Sequence, residues 1–167
     1  MGQAMDIQPR VLRTAMGHFA TGVAIVTGMA SAEPVGMTVQ SLVSVSLEPP
    51  LVLFCPGKSS TSWPRIADTG GFAVSVLGQE QRKLCSVFGR QGADKFAEID
   101  WKPGLHGCPL LEGALVHIEC ETYATHDAGD HHVVLGRVLR VGHRPTEEIP
   151  PGPLLFYRGA YAALAPS

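Results

Sequence analysis

Residues able to do chemistry cluster in the stretch from Val35 to Ser62, VGMTVQSLVSVSLEPPLVLFCPGKSSTS. Gly36 allows the backbone to approach a ligand, because no side chain intervenes. Met37, Thr38, Val39, Gln40 and Ser41 follow, then Ser44 and Ser46, so short polar side chains recur along the run. After the apolar segment Leu51 to Phe54 come Cys55-Pro56-Gly57, and then Lys58-Ser59-Ser60-Thr61-Ser62 ahead of Trp63-Pro64. Proline is tolerated in the first turn of a helix. A helix start with free N–H groups, hydroxyls and a lysine suits a phosphate. A plain cap needs only one hydroxyl, and Lys58 to Thr61 exceed that need. A polar, backbone-accessible wall followed by an anion cradle suits a flavin nucleotide. Thr38 to Ser41 would face the ring, where donors stabilise the charge that reduction places at N1–C2=O. An ordinary strand with polar residues turned outward is the bland alternative. Arg90, in Phe88-Gly-Arg-Gln, is either a further charge for the phosphate or a solvated surface arginine.

A second cluster is histidine-rich: His126, His131 and His132 lie on one expected hairpin. A metal ion needs convergent ligands, and neighbouring strand residues point to opposite faces. The same geometry leaves open which of His131 and His132 turns inward. The four cysteines form no C-x-x-C pair. Cys55 follows an apolar strand without a basic neighbour, so its thiol is expected to be buried and inert, while the backbone of Cys55-Pro56 is a candidate flavin contact. Neither G-x-G-x-x-G nor G-x-x-x-x-G-K-S/T is present. No Ser-His-Asp order or carboxylate pair stands out.

Five segments resemble, in register, the flavin reductase components of two-component flavin-dependent monooxygenases. They are FATGV (Phe19 to Val23), the stretch above, DKF (Asp94 to Phe96), GDH (Gly129 to His131) and PLLFYRGAY (Pro153 to Tyr161). The resemblance spans nearly the whole chain and lies nearest to reductases serving aromatic-ring and steroid hydroxylases. It implies a split β-barrel with helical caps, a homodimer with flavin sites at the interface, and an NAD(P)H:flavin oxidoreductase. The nicotinamide donor would be NADH, with NADPH the alternative. Reduced FMN or FAD would pass to a separate monooxygenase. The resemblance also implies that His131, Arg158 and Tyr161 line the nicotinamide pocket, with His131 the catalytic residue. Such a reaction needs stacking, orientation and electrostatics rather than a general base. A non-catalytic flavin-binding barrel or sensor, and a metal-binding barrel, are the competing readings.

Composition narrows the class. At 167 residues and 45% apolar content, one domain with a real core is expected, spanning residues 9–164 after a loose arm at 1–8. The net charge of −2 offers no nucleic-acid footprint. No apolar run approaches the ~20 residues of a membrane span, and no signal-peptide pattern opens the chain. Reduced thiols in the cytoplasm are expected.

The elements that must position these residues read as mainly β. Helices are expected over Pro9–Phe19, Ser62–Ala67 and Gln79–Phe88, with Val11, Leu12, Ala15, Met16 and Phe19 forming one apolar stripe of the first. Strands are expected over 23–28, 35–38, 42–46, 51–55, 72–77, 114–124, 131–141 and 154–157. Alternation over 114–124 sets Ala114, Val116, Ile118 and Cys120 opposite His117, Glu119 and Glu121. Asp127–Asp130 is a hairpin turn. Residues 89–113 read as irregular and 145–153 as a proline-rich loop. Without regular βαβ alternation, a parallel doubly wound sheet is disfavoured.

Overall fold

The protein is described by a computed structural model covering residues 7–90, 92, 94–143 and 152–165. Most of the expected N-terminal arm and of the proline-rich loop lie outside the described residues. In chain order the elements are α1 (Pro9–Met16), β1 (Thr21–Gly22), β2 (Ala24–Ala30), β3 (Glu33–Val39), β4 (Val43–Leu47), β5 (Pro50–Phe54), α2 (Trp63–Ala67), β6 (Gly71–Val76), α3 (Arg82–Phe88), β7 (Trp101–Pro103), β8 (Pro109–Leu111), β9 (Val116–Ala128), β10 (His131–His143), β11 (Leu155–Tyr157) and β12 (Ala160–Ala162). No helix among the described residues is long and apolar enough to cross a membrane.

One antiparallel sheet carries the order β3-β2-β6-β9-β10-β5-β4, with smaller sheets β1-β11-β12 and β7-β8 beside it. Phe54 on β5 and Phe72 on β6 are separated by two intervening strands, yet their rings meet at 5.2 Å. The sheet therefore curls around a shared interior, closed by Trp63 and Ile66 of α2. Alternation along 23–26 gives β2 two buried faces. Ala24 and Val26 join the interior cluster, whereas Val23 and Ile25 join a second core with Phe88 and Phe96. Two apolar layers explain why the segment is a continuous β-rich run and not an alternating one. α3 covers the second core through Cys85 and Phe88.

Four expectations are corrected. Residues 89–113 are not wholly irregular: they contain the β7–β8 hairpin, in which Pro103 pairs with Pro109. A proline in each strand, paired at one end of so short a ladder, hides it from pattern reading. Buried polar groups dock it. The Thr27 hydroxyl donates to the Pro109 carbonyl at 2.6 Å. The Ser75 hydroxyl accepts the Leu111 N–H at 3.3 Å. Glu119, assigned by alternation to the polar face, is only 3% exposed. Its carboxylate accepts from the Arg140 guanidinium, with one contact at 2.9 Å, and from the Leu105 N–H. Burial opposes ionisation of Glu119, but the bonds from Arg140 and Leu105 outweigh it and hold its pKa below the ordinary glutamate value. The first helix ends at Met16, before Gly17, and none of its residues is buried. Cys55 is half-exposed rather than buried.

Candidate functional site

Two cavities, of about 760 Å³ and 200 Å³, meet at a common wall made of Thr61, Ser62 and Lys95. The smaller lobe brings together the end of β3 (Met37, Thr38), the loop after β5 (Gly57, Ser59, Ser60) and the turn after α3 (Gly89, Arg90). The larger lobe runs from that wall past Gly36, Pro34 and Glu33 to Arg65 and Phe96.

Lys95 sits at the junction. Its ammonium donates to the Gly36 carbonyl at 3.0 Å, the Phe88 carbonyl at 3.1 Å and the Ser62 hydroxyl at 3.2 Å. Three acceptors use all three N–H groups, so the cation is fixed in place. Burial pushes its pKa below that of an ordinary lysine. The flanking residues hold it there. The Asp94 carboxylate accepts the Phe96 N–H at 3.1 Å, closing a local turn. The Phe96 ring then packs edge-on against Phe88 at 5.1 Å. Gly36 completes the arrangement, since a Cβ there would lie 2.6 Å from Phe88 Cε1. Its lack of a side chain thus admits the Phe88 ring, while its backbone also lines the larger lobe.

Lys58 lies elsewhere. Its ammonium pairs with Asp127 at the tip of the β9–β10 hairpin, and it lines neither lobe. That pair lowers the Asp127 pKa, first through the hydrogen bond from Lys58. The hydroxyl run also divides its labour. Ser60 Oγ accepts the N–H groups of Ser62 and Trp63 at 3.3 and 3.1 Å, so those two amides are not free for an anion. Ser59 and Thr61 line the cavity with Arg90. The fixed cation beside the hydroxyls is therefore Lys95, which the sequence marked only as part of a motif.

His131 stands beside the smaller lobe. A Cβ on Gly57 would lie 3.7 Å from both His131 Nε2 and Ser59 Oγ, so the glycine leaves a gap between ring and hydroxyl. His131 Nδ1 lies 2.7 Å from Asp130 Oδ1. A carboxylate can only accept, so Nδ1 carries the proton of this bond, and the hydrogen bond from His131 is the first cause of the lowered Asp130 pKa. Nε2 is left facing the Gly57 side. His132, the next strand residue, turns to the opposite face and uses its N–H to hold the Pro56 carbonyl at 2.9 Å. Among the described residues no three His, Cys, Asp or Glu side chains converge to hold a metal.

The remaining sequence candidates are dispersed. Thr38 donates to the Cys85 carbonyl at 3.3 Å. Ser41 Oγ accepts the Cys55 N–H at 2.8 Å, tying the end of β3 to the end of β5. Val39 and Pro56 are buried, the former in the interior core, and Gln40 and Ser44 flank the exposed β4 edge. Tyr161 packs against Phe156 at 5.3 Å and under the Arg82 guanidinium, also at 5.3 Å, with the Cys85 thiol as hydrogen-bonding neighbour. Arg158, at φ +49°, turns the chain into β12, and neither it nor Tyr161 lines either lobe.

Hydroxyls, one arginine and a fixed ammonium around the smaller lobe fit a phosphate-bearing ligand, which is the donor set a flavin nucleotide requires. The curled sheet with this cavity defines an open-barrel nucleotide-binding protein. Its family follows from comparison: residues 16–165 match the flavin reductase like domain, and the chain belongs to that family. It is 48% identical over 163 residues to the reductase subunit HsaB of a flavin-dependent monooxygenase from Rhodococcus jostii, covering 98% of this chain and 82% of the relative. It is 43% identical over 152 residues to the FMN reductase (NADH) SmoA from Agrobacterium fabrum, covering 91% and 84%. The Streptomyces globisporus NADH:FAD oxidoreductase SgcE6, solved in complex with NAD and FAD fragments, superposes with a TM-score of 0.87 at 40% identity, covering 99% of this chain and 98% of that one.

Proposed function

We propose that this chain is an NAD(P)H:flavin oxidoreductase that takes a hydride from NADH, delivers it to FMN or FAD, and releases reduced flavin to a separate flavin-dependent monooxygenase. The observation that carries the proposal is the lobe where Thr38, Ser59, Thr61, Arg90 and Lys95 surround a cavity with His131 at its edge. Whole-length similarity to reductases named for NADH, FMN and FAD supports it.

A bound flavin supplies N5, which accepts a hydride from C4 of the dihydronicotinamide. The protein's part is to bind and orient. Met37 and Thr38 line the ring side, and Ser59, Thr61 and Arg90 offer donors to the phosphate. Lys95 adds a charge that needs no reorganisation, because its position is already set by three acceptors. Asp130 fixes the tautomer of His131, whose Nε2 then orients the nicotinamide.

The working form is a homodimer of single-domain protomers (residues 9–164). β4 ends the sheet as an unpaired edge, and Leu47 on it is 89% exposed, beside half-exposed Val43 and Val45. The apolar stripe of α1 is equally uncovered, with Val11, Leu12 and Met16 exposed. A second copy would cover such surface and close the ring wall where Gln40 and Ser44 are exposed. The four cysteines are unpaired, which supports work in a reducing compartment such as the cytoplasm.

Steady-state NADH oxidation by purified protein with excess FMN or FAD is the test. Turnover that depends on added flavin is the expected result. A tightly held flavin without turnover would instead make the chain a flavin-binding module or sensor. Activity abolished by chelator and restored by metal would contradict the flavin assignment.

A further inference from the structure

We propose that Met37 is an oxidation site: hydrogen peroxide, formed when reduced flavin meets oxygen, converts its thioether to the sulfoxide and so closes the smaller lobe to flavin. The proposal rests on the reductase reading above, which supplies the reduced flavin. Met37 lies on β3 opposite Val26, half-buried, packed against the interior core and also lining the smaller lobe. Its Sδ is 3.9 Å from Ser60 Oγ. The Ser60 oxygen already accepts two N–H groups, so its own proton can only be donated, and Sδ receives it. A thioether is a weak acceptor, whereas a sulfoxide oxygen is a strong one. An oxygen added to Sδ on that side would come within hydrogen-bond reach of Ser60 and be held in the lobe, in the space a ligand would use.

The competing sulfur atoms are less suited. Among the described residues, Met37 is the one methionine that lines either lobe; Met16 is exposed on α1, and Met29 lies beside Gly107. Burial raises the pKa of Cys85 and Cys108 and pushes that of Cys120 up to about 12, so these thiols stay protonated and react poorly with peroxide. Cys55 is half-exposed but lines neither lobe. Molecular oxygen takes two electrons and two protons from free reduced flavin and becomes hydrogen peroxide. A lone pair on Met37 Sδ then attacks one peroxide oxygen. The S–O bond forms as the O–O bond breaks, and the departing hydroxide takes the proton from the transferred oxygen and leaves as water. Sulfur loses two electrons and the peroxide gains them. Reduced flavin that no monooxygenase collects would thus shut off its own source, and reduction of the sulfoxide would reopen it.

The test treats flavin-free wild type and Met37→Leu with graded hydrogen peroxide, then with dithiothreitol to reverse cysteine oxidation to sulfenic acid or disulfide. Peptide mass spectrometry locates the added oxygen, and fluorescence titration reads FMN affinity against each protein's own untreated sample. Wild type should gain the sulfoxide at Met37 and bind FMN roughly tenfold or more weakly. Methionine sulfoxide reductases should restore its affinity to within about twofold. Met37→Leu, a swap that conserves volume, should change by no more than about twofold on the same treatment. Catalase present during aerobic turnover with NADH and FMN should keep Met37 unmodified. Oxidation confined to other residues, Met37 sulfoxide at unchanged FMN affinity, or equal loss in Met37→Leu would overturn the proposal. So would a loss of binding that accompanies loss of the folded circular dichroism spectrum. Untreated wild type tests the reading beneath it: if it neither binds nor reduces flavin, the reductase assignment fails and this proposal with it.

Discussion

Replacing Lys95 by methionine keeps the length of the side chain and removes its charge and all three of its donors. In the native protein those donors reach Gly36 O, Phe88 O and Ser62 Oγ at 3.0–3.2 Å. Hydrogen bonds from a charged group contribute ~1.5–3 kcal/mol each, so the gross loss is several times that. Two effects reduce it. The ammonium already bears a desolvation cost, visible in its lowered pKa, and water in the adjoining lobes can reach the abandoned carbonyls. A net destabilisation of about 2–3 kcal/mol is expected, measured by urea unfolding. For ligand binding, loss of the fixed charge should weaken FMN roughly 10- to 100-fold. Riboflavin, which has the ring without the phosphate, should change by no more than about threefold, which removes most of the preference for FMN. Lys58→Ala is the matched control. Lys58 pairs with Asp127 at the exposed hairpin tip, where solvent screens the pair, and its removal should leave both flavins unaffected. Fluorescence titration of FMN and riboflavin reads both variants. Equal weakening of the two flavins by Lys95→Met would show that the lysine only holds the wall. Selective loss of FMN in Lys58→Ala, with none in Lys95→Met, would refute the reasoning outright.

Further outcomes follow from the same geometry. His131→Ala should slow hydride transfer from NADH roughly 10- to 100-fold with little change in flavin affinity, as read by anaerobic stopped-flow beside flavin titration. Glu119→Gln should cost about 2–4 kcal/mol at neutral pH, because Arg140 and the Leu105 N–H lose a buried carboxylate. Glu119 has a folded pKa below its unfolded value of about 4.3, so its contribution is complete above that value. The contribution disappears as pH falls through the lower folded value, and urea unfolding across acid pH should show wild type and variant converging. Gly36→Ala would place a methyl 2.6 Å from Phe88 and should destabilise by ~1–3 kcal/mol in thermal melts. Leu47→Asp should shift the sedimentation profile from dimer to monomer, and an unchanged profile would remove β4 from the interface.

Much of the fold was legible because its signals are local. Alternation marked the first arm of the β9–β10 hairpin, the turn signal before His131 placed the start of the second, and Pro64 marked the first turn of α2. What escaped the sequence depends on distant partners. Lys58 is drawn aside by Asp127, and nothing near it in sequence foretells that pair. Lys95 owes its position to Gly36, Ser62 and Phe88, three separate segments, so its local context showed only a lysine between an aspartate and a phenylalanine. The burial of Glu119 depends on the β7–β8 segment folding over it and on Arg140 from the neighbouring strand. Within the site, the hydroxyl run was found from its composition, but the second role of Ser60, which accepts the Ser62 and Trp63 N–H groups while lining the lobe with Ser59 and Thr61, required coordinates.

The most direct measurement is an anaerobic count of flavin reduced per protomer. Purified protein is mixed with excess NADH and a large excess of free FAD or FMN, and bleaching of the visible flavin absorption is followed to completion. If flavin enters, is reduced and leaves as a substrate, the whole flavin pool should bleach, many equivalents per protomer, with NADH consumed one for one. Bleaching that stops at one equivalent per protomer, or never begins, would contradict the account.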